Sequence, residues 1–414
     1  MLLQQNKYYD FLIPHHPKIP QLSMKAHTLT FILMLAYTTI FFTACKDEPN
    51  NATCSNIEQL KINQLQVIGS HNSYRLRTQD DIFNKLVELG QLISGFLDPK
   101  ELDYSHEPLA TQLGQYGMRA LELDIYNDPN GGLFYNQRGN ELVGIPVESG
   151  VPELLEPGFK ILHIPDIDYR THHYTLKSAL QTLKTWSDAN PQHLPIFVQV
   201  ETKTDGINDY FEYPGVAIPL PFTTGAADSL DAEIKSVFGE SLDKVITPDR
   251  LRGTHSTLQA AVSAGAWQTI AQARGKFFFI IDGNYDFYIQ SHPLFAGRVM
   301  FGFAPPRSPE CAFIIANNSI EQIDSIKQWV AEGYMVRSRA DAGTIEAREG
   351  DYSAMNAAFE SGAHIISTDY YRPDPRAATD TAWTDFCVKF ADGSTVRPNI
   401  INTDSTTWDC AVSR

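Results

Sequence analysis

The sequence predicts an α/β chain folded as a single TIM-type (β/α)8 barrel. Three observations carry that expectation. Short β-rich runs alternate with helix-like stretches over roughly 310 residues, a rhythm that argues for parallel βαβ units. There are eight such runs, the number that closes a barrel. No GxGxxG follows the first of them, which counts against an open, doubly wound dinucleotide-binding sheet.

The predicted strands are 65–70, 119–126, 159–162, 196–201, 277–282, 298–303, 334–337 and 364–368. Stretches 176–189, 257–273, 320–332 and 353–361 are helix-like; Trp186, Trp267 and Trp329 each fall in one and read as packing residues. Two insertions break the rhythm, at about 75–110 and 203–230. The first carries Ile82, Phe83, Leu86, Leu89, Leu92, Ile93 and Phe96, and reads as a helix packed on the barrel ahead of a membrane-facing one. The second contains Tyr213-Pro214-Gly215, Pro219 and Pro221, and reads as a loop over the barrel mouth. The expected organisation is an upstream extension plus signal peptide (1–44), a lipidated linker (45–60), the barrel (61–375) and a C-terminal extension packed on it (376–414).

Between Leu29 and Phe42 there is no charge, and Lys25 precedes the run. Its length suits a signal h-region and falls short of the about 20 residues that span a bilayer. Met24 is a candidate start. Phe42-Thr43-Ala44-Cys45 resembles a bacterial lipobox, which makes Cys45 the expected lipid anchor, and Lys46-Asp47-Glu48 resembles an acidic surface-export tag. A plain N-terminal membrane anchor is the alternative. Both place the body outside the cytoplasm, at an outer membrane or cell surface. In such an oxidising compartment one or two disulfides are expected among Cys54, Cys311, Cys387 and Cys410, with Cys387–Cys410 as a candidate pair. No CxxC pair or His/Cys ladder indicates zinc.

With 43% hydrophobic and 20% charged residues, the composition is that of a globular protein. The 33 Lys+Arg against 49 Asp+Glu give −16; Lys7, Lys18 and Lys25 against Asp10 leave the first 44 residues at +2 and the body at −18. So acidic a body lacks the cationic footprint of a nucleic-acid binder. A single long apolar run excludes a polytopic membrane protein.

Polar residues gather at the predicted strand ends. The first strand runs into Ser70-His71-Asn72-Ser73-Tyr74, and the second contains Glu122-Leu123-Asp124. Strands alternate faces, so Glu122 and Asp124 share the inward face of a barrel. Two carboxylates in a closed interior repel each other unless a cation joins them. The fourth strand ends in Glu201-Thr202-Lys203 and the third in His163-Ile164-Pro165-Asp166. An amide and three carboxylates (Asn72, Glu122, Asp124, Glu201) describe a hard-cation site, Ca2+ before Mg2+. His71 and His163 are left free for proton transfer on opposite sides of a phosphorus. Phosphodiester cleavage is the leading reaction class for this inventory. Lys203, Arg337 and Arg339 read either as anion contacts or as salt bridges to Glu201 or Asp341. Arg119 reads as lying inside the barrel, either pairing with Glu122 or facing away from the site, and is set aside; His106, His172 and His173 read as solvated surface residues. Asp369 reads as a substrate contact or a loop cap.

Ser70-His71-Asn72-Ser73-Tyr74 followed by Gly117-Met118-Arg119-Ala120-Leu121-Glu122-Leu123-Asp124 resembles the catalytic half of calcium-dependent phosphoinositide-specific phospholipase C. The resemblance continues through 161–168, 197–203, 333–342 and 362–370, and is closest to the compact secreted bacterial type. It implies Ca2+ on Asn72, Glu122, Asp124 and Glu201, with His71 and His163 as the catalytic pair. It also implies attack of the inositol 2-OH on phosphorus, release of diacylglycerol and a cyclic inositol phosphate, a membrane-surface phosphoinositol lipid as substrate, and a monomer. Two other readings compete. A glycerophosphodiester phosphodiesterase is disfavoured because His71 is followed by Asn72-Ser73 rather than Arg-Gly, and because His163 lies far beyond Asp124. A surface lipoprotein that binds inositol lipids or glycans without turnover is disfavoured by the intact His71 and His163.

Overall fold

The computed structural model of the protein describes residues 56–95, 97–210 and 212–412. The apolar leader, Cys45, Cys54 and Phe96 lie outside them. Eight parallel strands form the barrel wall: β1 (Leu65–Ser70), β2 (Ala120–Tyr126), β4 (Ile196–Thr202), β5 (Phe277–Asp282), β6 (Phe301–Gly302), β7 (Phe313–Ile315), β8 (Met335–Arg339) and β9 (Ile365–Thr368). They are ordered β6-β5-β4-β2-β1-β9-β8-β7, and a parallel bridge between Phe303 and Phe313 joins the two ends.

The run at 159–162 is not part of that wall. Only β3 (Lys160–Ile161) forms there, and it pairs antiparallel with the end of β2 through Ile125↔Ile161 and Tyr126↔Lys160. The true eighth strand is β7, whose three residues follow Cys311-Ala312 and are too short to register as a run. The strand expected at 298–303 shrinks to Phe301–Gly302. The helix expected over 257–273 breaks at Gly265, where φ is 71°, and Trp267 sits in the loop with its indole N–H donating to the Gly333 carbonyl at 2.8 Å.

β1 meets β2 only at Gly69↔Ala120. A Cβ on Gly69 would lie 2.4 Å from the Ala120 Cβ, so the strands close there because position 69 has no side chain. Below that point β10 (Val396–Pro398) runs antiparallel to β1 and takes the hydrogen bonds that β2 leaves open. Cys410 is disulfide-bonded whereas Cys311 and Cys387 are free thiols, so the Cys387–Cys410 pairing does not form.

Side chains alternate along β5 as the two-residue period requires. Phe277 and Phe279 face outward onto Phe238 of the helix Thr224–Phe238, at 5.0 and 5.5 Å between ring centroids. Phe278 faces inward, where it meets Phe197, Phe301 and Phe313. These four rings fill the barrel floor. In the first insertion, α1 (Asp80–Glu88) buries Ile82, Phe83 and Leu86 against Ile167, Ile207 and Val216. Among the described residues no helix is long and apolar enough to cross a membrane.

Candidate active site

The inward-facing series changes from aromatic to charged on rising two residues at a time. On β4 it reads Phe197, Gln199, Glu201, and on β5 Phe278, Ile280, Asp282. Register places Asp124, Glu201 and Asp282 side by side on three adjacent strands, with Glu122 one step below, opposite Gln199. Oxygens of Glu122, Glu201 and Asp282 all lie within 4.8 Å of one another. Burial pushes Glu122 up to about 8, and Glu201 and Asp282 add to the push against Arg337. Asp282 is raised to about 6 by burial and by Glu201, and Asp124 is raised well above the carboxylate range for the same two reasons. A cluster that resists ionisation in this way gains from a cation.

Two imidazoles face one cavity of about 210 Å3 beside this cluster. His71 donates from Nδ1 to Asp369 at 2.9 Å, while its Nε2 lies 3.7 Å from Glu122. The Arg339 guanidinium lies against the ring, with Nη1 3.3 Å from Nε2 and Nη2 3.3 Å from Nδ1. Burial, and then Arg339, lower His71 to about 3, so the ring is neutral. Asp369 resists its own burial because His71, His106 and Arg339 surround it, and it stays well below the usual range. His163 donates from Nδ1 to Asp168 at 2.7 Å, and Asp168 also accepts from Arg75 Nε at 2.8 Å and from the Thr78 hydroxyl. Burial lowers His163 too. Each ring is thus oriented by a buried carboxylate behind it, leaving Nε2 as the working atom.

The residues expected from sequence divide into three groups. His71, His163, Lys203 and Arg339 line the one cavity. Lys203 lies 3.3 Å from Glu201 and 3.9 Å from Asp124, which outweigh its burial and hold it protonated. Asn72, Glu122, Asp124 and Glu201 belong to the polar layer of the mouth. Asn72 adopts φ 44°, a left-handed conformation that asparagine tolerates, and its Nδ2 donates to the Tyr104 hydroxyl at 3.1 Å. Arg337 does not line the cavity. It is buried one layer lower and donates to Glu122 Oε2 at 2.8 Å, a partner that is neither Glu201 nor Asp341. Arg119 faces outward, donating to the Leu113 and Met118 carbonyls.

Histidine 106 corrects the surface reading: it is buried, stacks on Tyr371 and contacts the His71 carbonyl oxygen through Nε2 at 2.6 Å. His172 and His173 are half-buried rather than solvated, and His172 Nε2 donates to the His106 carbonyl at 2.9 Å. Asp282, Asp168 and the role of Asp369 behind His71 escaped the sequence reading. Asp282 carried a usable signal, because it ends an apolar strand on the same face and level as Glu201.

A family model, "Phosphoinositide phospholipase C, Ca2+-dependent", matches residues 60–400. This chain belongs to that family. It is therefore a phosphodiesterase of a Ca2+-dependent family. Similar solved structures include a calcium-dependent phosphoinositol-specific phospholipase C from Pseudomonas sp. (15% identity, 83% of this chain and 97% of that one, TM-score 0.48). Another is the Ca2+-dependent phosphatidylinositol-specific phospholipase C from Streptomyces antibioticus (16%, 82% and 99%, 0.46). A glycerophosphoryl diester phosphodiesterase from Parabacteroides distasonis is more distant (10%, 84% and 96%, 0.30). No curated protein sequence matches the chain. The mouth of this phospholipase C family member suits a hard cation. Asn72 Oδ1 and Asp124 Oδ1 are buried oxygens without a hydrogen-bond partner, and the carboxylates of Glu122, Glu201 and Asp282 converge.

Proposed function

We propose that the enzyme cleaves phosphatidylinositol-type lipids by attack of the inositol 2-OH on phosphorus. The products are diacylglycerol and a 1,2-cyclic inositol phosphate. The observation that carries this reading is the pair of carboxylate-backed imidazoles on one cavity beside the acidic cluster. Asn72, Glu122, Asp124 and Glu201, with Asp282 added, would hold Ca2+. When bound, that ion supplies positive charge for the phosphoryl oxygens and acidifies a nearby hydroxyl.

As the bond from the 2-OH oxygen to phosphorus forms, the proton of that hydroxyl passes to Glu122 or Asp124. As the bond from phosphorus to the glycerol oxygen breaks, His163, protonated with substrate in place, gives a proton from Nε2 to the departing oxygen. A bound phosphodiester anion raises the proton affinity of both rings, so His71 and His163 charge with substrate in place. His71 then donates from Nε2 to a phosphoryl oxygen, and Arg339 and Lys203 supply fixed positive charge at the same cavity. Arg337 acts beneath them by holding Glu122. On sequence grounds the enzyme works outside the cytoplasm, anchored through Cys45.

Phosphatidylinositol hydrolysis assayed with Ca2+ and with chelator tests the proposal through its products. Diacylglycerol and cyclic inositol phosphate that vanish with chelator are expected. Glycerol phosphate would mark a glycerophosphodiesterase, and inositol-lipid binding without turnover would mark a non-catalytic lipoprotein.

A further inference from the structure

Beside the catalytic cavity lies a second, apolar one of about 470 Å3, a size typical of small-molecule sites. One wall is α1 with the short helix Gly90–Ile93, through Leu86, Leu89 and Ile93; the other is the second insertion, through Ile207, Tyr213 and Val216. Leu142 and Ile167 also line it. Among the described residues Arg138 is the one charged member of the lining, and it donates to Glu141 at 2.8 Å.

Two features connect this groove to the reaction. Tyr210 lines both cavities. The apolar cluster behind the groove also contains Leu97, Leu102 and Ile164, which line the catalytic side. The groove opens at its rim on Leu92, which is 84% exposed, with Tyr210 half-exposed opposite. A leucine so placed gains by being covered. The lining is predominantly apolar, and its one cation, Arg138, is already engaged by Glu141, so a hydrocarbon chain fits it better than a polar headgroup.

We propose that this groove receives one acyl chain of the glycerolipid whose phosphodiester occupies the neighbouring cavity. The enzyme then lifts part of its substrate out of the bilayer rather than reading the headgroup alone. The inference rests on the phosphatidylinositol-type reading above, and adds that the lipid chain is itself recognised.

The test compares the full-length protein with Leu142→Trp, which adds bulk to the groove lining, and Leu92→Asn, which changes only an exposed lining residue. The first readout is the ratio of kcat/KM for monomeric phosphatidylinositols of increasing chain length to that for a chain-free inositol phosphodiester. The wild-type ratio should rise with each methylene, by roughly fourfold at most, until the groove is full. Leu142→Trp should cut the longest-chain ratio at least tenfold, and Leu92→Asn about threefold, a loss smaller than that of one buried methylene. The second readout is binding of a fluorescent dodecyl probe without a headgroup, which should weaken in the same order.

Ratios within twofold of wild type in both variants would overturn the inference. So would a dimer that Leu92→Asn dissociates while the probe fails to bind, because the groove would then be covered by a second copy. If the wild type cleaves no phosphoinositol compound, the functional reading fails, and probe binding alone then decides the groove. If Leu142→Trp does not fold, Leu92→Asn carries both readouts.

Discussion

The floor and the mouth of this barrel are built on the same strands and point the same way, yet their physics is opposite. At the floor Phe197, Phe278, Phe301 and Phe313 touch at centroid separations of 5.0 to 6.4 Å, a dry aromatic plug. Two steps up the same strands, Glu201 and Asp282 stand beside Glu122 and Asp124, and burial works against the charges of Glu122, Asp124 and Asp282. The floor supplies stability that does not depend on ligand. The mouth holds apart groups that repel until something positive joins them. A rigid floor is what lets a strained mouth keep its geometry.

Mutations at the two levels should separate these roles. The largest effect is expected for His71→Ala, with a loss of roughly 10²–10⁴-fold in kcat and a melting temperature close to wild type, read by steady-state kinetics and calorimetry. Phe278→Ala should do the reverse. It removes about 3–5 kcal/mol of stability in urea titrations and leaves the Ca2+ requirement of the surviving folded enzyme intact. An equal loss of stability from both substitutions would erase the distinction between floor and mouth.

The carboxylate behind His163 sharpens it further. Burial alone would raise Asp168, but Arg75 chiefly, and His163 with it, bring it down to about 2. A depressed folded value means that its stabilisation is present above the unfolded pKa near 4 and is lost as pH falls toward 2. The loss amounts to about 2 kcal/mol. Urea unfolding of wild type and Asp168→Asn at pH 7, 4 and 2.5 should show the gap between them closing on acidification. The smallest effect is expected at the mouth without metal. Asp282→Asn removes one repelling charge and keeps an oxygen for the Gln199 amide, which donates to Asp282 at 2.7 Å. It should raise stability by about 1 kcal/mol in chelator and reduce the stabilisation that added Ca2+ brings. A variant less stable than wild type in chelator would show that the cluster is not under strain.

Much of this is legible in the sequence. The eight-stranded rhythm follows from apolar runs of the right length, and Glu122, Asp124 and Glu201 follow from the two-residue period at strand ends. The failures have physical causes. β3 looks like a barrel strand because an antiparallel ribbon and a parallel barrel strand bury similar apolar runs. β7 was missed because neighbours on both sides and the floor aromatics, rather than its own three residues, make it a strand. His106 lies in a loop without periodicity, and only the approach of Tyr371 and Tyr104 buries it.

The order of residues alone settled that this chain alternates strand and helix, ends its strands in carboxylates and imidazoles, and belongs to phosphodiester chemistry. Those features are local: each depends on the side chain present and on a period of two. His163 takes Asp168 from only five positions away, but which carboxylate stands behind His71 and which cation holds Glu122 were decided only by closure of the sheet. Asp369 reaches His71 from 298 positions away, and Arg337 reaches Glu122 from 215. No local pattern encodes a contact at that separation, because it exists only once the barrel's circumference is complete.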